Sequence, residues 1–339
     1  MTTPVFDGHN DVLLRLWMAG DTRGEGFIHG MDAHIDALKA RKGGLIGGFF
    51  AIFVPEQNSS GEAILGTDPV SRHDAEDATR AMMAIFHHLT TCHPEVIRMA
   101  TSAADLRQAR SDGVMAAILH IEGAEAIAPD LSNLDDYYDQ GLRSIGPVWS
   151  RQNAFGSGVP FGFPGSPDQG DGLTEAGVEL VRAMNRKGML IDLSHLNEAG
   201  FWDVARHSSA PLVATHSNAH ALSASPRNLT DKQLMAIRES GGLVGLNFAA
   251  GFLRADGAKS TDTSIDIMIR HLDHLIAALG EDGVALGSDF DGAVIPQTIG
   301  SAAGLPVLIS AMADAGYGDE LINKITHGNW LAMVETTIG

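Results

Sequence analysis

His9 with Asp11, then Glu122, His195, His216 and Asp289, are the residues of this chain whose types can do chemistry together. Each follows an apolar run, as do Trp149 and Asn247. In an extended chain, residues two apart face the same way, so His9 and Asp11 can reach one ion. Glu122, after the run Val114 to Ile121, would be costly to bury without a cation beside it. Two histidines, a third histidine with an aspartate, and one carboxylate between them make two metal sites that share a bridge. Imidazole and carboxylate without thiolate suit zinc, and manganese, cobalt or iron also fit. A lone histidine at a strand end is more often a hydrogen-bonded packing residue than a ligand. The specific signal is the set, not its members.

Other chemistry is poorly represented. The chain has no G-x-S-x-G, no phosphate-binding Walker loop and no G-x-G-x-x-G. Asp289-Phe290-Asp291-Gly292 resembles part of a calcium loop, but the flanking ligands are missing. His120 stands two before Glu122 and can point to the same side, which makes it a candidate to orient a ligand from behind. His220 lies close to the motifs. The remaining histidines, among them His34 and His271, lack a partner pattern and read as surface or packing residues.

The elements that must position these groups follow a rhythm of strand then helix. Eight runs read as buried parallel strands. They begin at Val5-Phe6 and continue with Leu45 to Val54, Val114 to Ile121, Leu142 to Trp149, Met189 to Leu193, Leu212 to Thr215, Leu243 to Phe248 and Val284 to Gly287. Helix signals lie between them. Thr174 opens a segment that stops at Gly188, and Thr230 with Gln233 forms a capping box before a helix ending at Gly241. Ile265, Met268, Leu272, Ile276 and Leu279 make an apolar stripe closed by Gly280. This alternation predicts an α/β fold, a TIM-type (β/α)8 barrel, with residues 1–339 as one domain. In such a barrel the chemistry sits at the carboxyl ends of the strands, where the six residues fall. Residues 150–172, rich in glycine and proline, should form a long loop over that face.

Composition narrows the partners. Acidic residues number 42 against 23 basic ones, a net charge of −19, which argues against nucleic acid or an anionic membrane surface. The single cysteine, Cys92, excludes an intrachain disulfide and a cysteine-based zinc site. The start, MTTPVFDGHND, shows no secretory signal pattern, and no run approaches the roughly 20 apolar residues of a membrane span. A cytoplasmic protein is the expectation.

At these residues the chain resembles the membrane (renal) dipeptidase family, zinc dipeptidases of the metallo-dependent hydrolase superfamily. The matching pieces are DGHND at 7–11, IEGAEAI at 121–127, IDLSH at 191–195, ATHSNAHAL at 214–222, SPRNL at 225–229 and GSDFDG at 287–292. The resemblance runs over nearly the whole chain. It implies His9 and Asp11 as ligands of a first zinc, Glu122 as the bridge, and His195 and His216 as ligands of a second. It implies Arg227 as the receiver of the substrate's terminal carboxylate and Asp289 as the proton shuttle. Where vertebrate members carry a histidine that helps hold the reacting carbonyl, this chain has Trp149, whose indole N–H can offer one hydrogen bond. The resemblance also makes a homodimer the usual assembly.

The implied chemistry is hydrolysis of a small dipeptide with a free C-terminal carboxylate, including one ending in a D-residue. A water bridged by two metals, lowered in pKa, is the attacking group. Two rivals stand beside it: an N-acyl amino acid or other amide hydrolase of the same superfamily, and a barrel that binds metal or peptide without turnover. His9-Asn10-Asp11 and Glu122, in place of the His-x-His and lysine common elsewhere in the superfamily, favour the dipeptidase.

Overall fold

The structure, a computed structural model, describes residues 2–57, 63–64 and 66–339. Its central strands are β1 (Val5–Asn10), β2 (Leu45–Phe53), β3 (Met115–Glu122), β4 (Leu142–Gly146), β5 (Leu190–Ile191), β6 (Val213–Ala214), β7 (Leu243–Asn247) and β8 (Val284–Gly287). Strands β1 to β5 pair in parallel, in order, in one sheet. A second parallel sheet holds β6, β7 and β8. The curled sheets meet at two seams held by single parallel bridges rather than full ladders: Asp192 to Val213, and Asn10 to Phe290. At the second seam the Asp289 N–H donates to the His9 carbonyl at 3.0 Å. Strand number, direction and order are those of the expected α/β barrel.

Strands β1, β3 and β7 are buried along their whole length, and β2 and β4 at all but one residue, because both faces are covered. One buried cluster joins Phe6, Phe49, Ile118, Leu190, Val213, Leu243 and Ala285 from seven of the strands to Trp330 of the C-terminal helix. Trp330 donates its indole N–H to the Leu286 carbonyl at 2.8 Å. Gly8 is required here, since a Cβ would collide with the Thr215 carbonyl and the Trp330 ring. The helices form a separate shell, and their ends match the local signals. Thr174 caps Glu175–Lys187, which stops at Gly188 with φ 63°. Thr230 and Gln233 form the capping box of Asp231–Glu239.

Two expectations need correction. The fourth strand ends at Gly146, not Trp149, because Pro147 has no N–H with which to continue the ladder. Trp149 therefore stands in the loop beyond the strand. The stripe on Ile265–Leu279 is also displaced: Met268, Leu272 and Leu279 are buried, but the core side continues through His271 and Leu275, leaving Ile265 and Ile276 half-buried. No helix among the described residues is long and apolar enough to cross a membrane.

Candidate metal centre

Three imidazoles converge on one carboxylate oxygen at the carboxyl rim. Glu122 Oε1 lies 2.9 Å from His195 Nε2, 3.2 Å from His216 Nε2 and 3.6 Å from His9 Nε2. His195 Nε2 and His216 Nε2 are themselves 3.2 Å apart, and the His9 and His216 rings stack at 3.9 Å. His9 Nε2 also lies 3.4 Å from Asp11 Oδ2. Three overlapping groups with the spacing of metal ligands result among the described residues: His9, Glu122 and His216; His9, Asp11 and Asp289; and His9, His120 and Asp192.

The backbone explains how the side chains meet. Asp11 lies outside β1, just before the helix Val12–Met18, with φ −108° and ψ 28°. The pairing of β1 with β2 is irregular between Asp7 and Asn10. The approach of Asp11 to His9 therefore comes from the turn into the helix, not from strand alternation as expected. His195 and Asp289 occupy left-handed backbone, at φ 68° and 58°. For residues with a Cβ this costs on the order of 1–3 kcal/mol, which the surrounding contacts must offset. The His195 carbonyl accepts from the Val159 N–H at 2.8 Å, and its Nδ1 meets Ser150 Oγ at 2.8 Å. The expected loop at 150–172 thus buttresses the centre directly.

The electrostatics call for cations. Burial, with Arg227 and His9 nearby, holds His195 and His216 well below the usual imidazole range. Burial pushes Glu122 up despite His9 beside it, and burial with the neighbouring Asp11 pushes Asp289 up. Burial alone would lower His9, but Glu122, Asp11 and Asp289 outweigh it and push it up to about 10. Both ring nitrogens of His9 and Glu122 Oε1 are buried without a hydrogen-bond partner. A donor set of imidazoles and clustered carboxylates converging on one point, with both ring nitrogens of His9 and Glu122 Oε1 unpaired, fits divalent ions.

A cavity of about 830 Å³ opens over the centre, its wall including Asp11, Glu122, His195 and Asp289. Trp149 lines one side, with its ring 5.7 Å from His195, 4.7 Å from Phe53 and 5.3 Å from Phe161. Arg227 is buried rather than on the surface. It donates from Nη2 to the His216 carbonyl at 3.2 Å, and its Nε has no partner. Its guanidinium lies 5.3 Å from the Phe252 ring, which lines the cavity.

Several contributors carry little signal in the sequence. His34, expected as a packing or surface histidine, lines the cavity and accepts the Asp291 N–H at Nδ1. Asp291 returns the contact, accepting from the His34 and Ile35 N–H groups. Asp192, Thr215 and Ser150 sit behind the histidines, and Arg151 forms a buried ion pair with Glu125 behind Trp149. The adjacency of Asp192 and Thr215 to the histidine motifs was the only signal. The His120 ring lies edge-on to His9 at 5.6 Å, with Nδ1 2.9 Å from Ser144 Oγ and Nε2 3.7 Å from Asp192. His220 instead holds the long loop, with Nε2 2.8 Å from the Gly165 carbonyl.

Residues 1–337 match the family model described as membrane dipeptidase, peptidase family M19. The "uncharacterized protein in pqqA 5′ region" of Klebsiella pneumoniae is 49% identical over 262 residues, 77% of this chain and 97% of the relative. A metallo peptidase from Rhodobacter sphaeroides, solved with a phosphinate mimic of the dipeptide L-Ala-D-Ala, superposes with a TM-score of 0.95. It is 48% identical and covers 99% of this chain and 100% of its own. A second solved metallo peptidase of family M19, dipeptidase AC, has a TM-score of 0.94 and 50% identity over 100% of both chains.

Proposed function

The chain belongs to the membrane dipeptidase family of metallopeptidases, family M19, and from that premise we propose that it cleaves small dipeptides bearing a free C-terminal carboxylate at a two-zinc centre. The observation that carries this reading is the convergence of three imidazole nitrogens on Glu122 Oε1. His9 and Asp11 would hold one ion and His195 and His216 a second, with Glu122 shared by both sets. Ions bound there would supply Lewis-acid polarisation of the scissile carbonyl and activation of a water. In this reading residues 1–339 act as one catalytic domain, since the ligands come from strands spread along the chain.

The protein's own groups do the rest. Asp289 takes a proton from the attacking water and delivers it to the leaving amine as the C–N bond breaks. Arg227 offers a planar fork to the substrate carboxylate. Trp149, with Phe53 and Phe161, forms an apolar wall that keeps bulk water from the reacting carbonyl. A mimic of L-Ala-D-Ala bound to the Rhodobacter sphaeroides relative supports including dipeptides that end in a D-residue.

The deciding experiment is a panel of L,L- and L,D-dipeptides, their amides and N-acyl amino acids, offered to zinc-loaded protein with free amino acids as the readout. Turnover of dipeptides with rejection of their amides is expected. Turnover of N-acyl amino acids without dipeptide hydrolysis would overturn the assignment.

A further inference from the structure

Behind His216 lies a buried chain of hydrogen bonds whose proton count has one solution. The Asp192 carboxylate accepts at Oδ1 from the Ser194 N–H at 3.0 Å and the Thr215 N–H at 2.8 Å. At Oδ2 it meets the Thr215 hydroxyl at 2.5 Å. A carboxylate only accepts, and a hydroxyl has one proton. With that proton given to Asp192, Thr215 Oγ1 can only accept from its other neighbour, His216 Nδ1, at 2.8 Å. Asp192, Thr215 and His216 are all buried, so bulk water cannot substitute for any member.

We propose that Asp192 is a positioning residue that acts through the Thr215 hydroxyl to hold His216 as its Nδ1–H tautomer. The bare Nε2 lone pair then faces Glu122. The Ser194 hydroxyl adds a second restraint by accepting the His216 backbone N–H at 3.1 Å. His195 has no equivalent backing. Its Nδ1 meets the Ser150 hydroxyl, and among the described residues no carboxylate stands behind that hydroxyl to choose its direction. The two imidazoles nearest Glu122 are therefore unequally prepared: one tautomer is imposed, the other is left to the hydroxyl rotor. The consequence for ion binding rests on the two-zinc reading; the tautomer itself does not.

The test begins on metal-free protein with 15N-labelled histidine, read by long-range 1H–15N correlation. The native protein should show His216 protonated at Nδ1. In D192N the amide can donate to Thr215 Oγ1, which frees the hydroxyl proton for His216 Nδ1 and should reverse the tautomer. T215V should lose the preference, and T215S should restore it. Zinc affinity, measured by chelator competition, should fall 10- to 100-fold in T215V and D192N and stay within about threefold of native in T215S. A native His216 protonated at Nε2, or a tautomer unmoved in D192N, overturns the proposal. Native protein that binds no divalent ion, yet shows the Nδ1–H tautomer, overturns the metal-centre reading and leaves this one standing. Should T215V fail to fold, the native, D192N and T215S spectra still decide.

Discussion

Asn247, at the end of β7, donates its side-chain amide to Asp289 Oδ2 at 2.9 Å, just beyond the end of the paired strand β8. Its own Oδ1 accepts from the Ala249 N–H at 2.6 Å, so the amide cannot flip without losing both bonds. Asp289 is thus presented to the cavity with one oxygen held and its backbone left-handed. If it carries the proton, Asp289→Asn should lower kcat by about two orders of magnitude or more, with zinc content unchanged. Loss of zinc would make it a ligand instead, and an unchanged kcat would remove it from the mechanism.

Gly292 packs against the same carboxylates. A Cβ there would overlap Asp11 Oδ2 and lie 2.5 Å from Asp289 Oδ1, although the residue itself is exposed in the cavity wall. Gly292→Ala should fold with a Tm within a few degrees of native, because no core packing is touched. It should lose at least about tenfold in kcat/KM as both carboxylates move from their productive positions. Native kinetics in this variant would mean that the site tolerates displacement of Asp11 and Asp289.

Arg227 is buried beside Phe252 with one guanidinium N–H unpartnered. Burial lowers its pKa, partly countered by Asp289 and Glu122. A charge-assisted arginine–carboxylate contact is worth about 2–4 kcal/mol against truncation. Arg227→Met should therefore cost roughly 30- to 1,000-fold in kcat/KM for free dipeptides, and much less for dipeptide amides. Equal losses for acid and amide would place the role of Arg227 in folding.

Chelation should lower the Tm, and re-addition of zinc should restore it, because ions that bind only the folded state stabilise it. His216→Ala and His195→Ala should each bind about one zinc fewer than native protein and abolish turnover. Full metal content and activity in both variants would refute the ligand assignment.

His271 carries a pH dependence remote from the chemistry. It accepts the Ala219 N–H at Nδ1 and donates from Nε2 to the Leu253 carbonyl at 2.9 Å, joining the loop after β6 to the helix Ala250–Leu253. Burial is the main cause that pushes its pKa down to about 4. Between pH 6.5 and 4 the unfolded chain takes up a proton that the folded protein refuses, so stability falls as pH falls through this window. The loss is of order 3 kcal/mol when complete. His271→Gln should flatten the fall in urea midpoints between pH 7 and 5 by about one proton. Parallel curves for variant and native protein would show that His271 does not contribute.

The apolar runs and their caps were legible because they are local. Eight buried strands announce themselves as short, mainly apolar stretches, and Thr230 with Gln233 marks a helix start within four residues. The site residues were legible by type and by place, since His9, Glu122 and His216 each end an apolar run. What adjacency along the chain could not supply was orientation. Asp11 reaches His9 through the turn into a helix, and His195 and Asp289 rely on left-handed backbone that neither residue type favours by itself. Asp192, Thr215 and Ser150 gain their meaning from partners 23 to 45 positions away, and His34 from one 257 positions away. A hydrogen bond of that separation depends on where the barrel brings two strands together. Only the tertiary structure could therefore decide which hydroxyl stands behind which imidazole, and that Arg227 is buried beside Phe252.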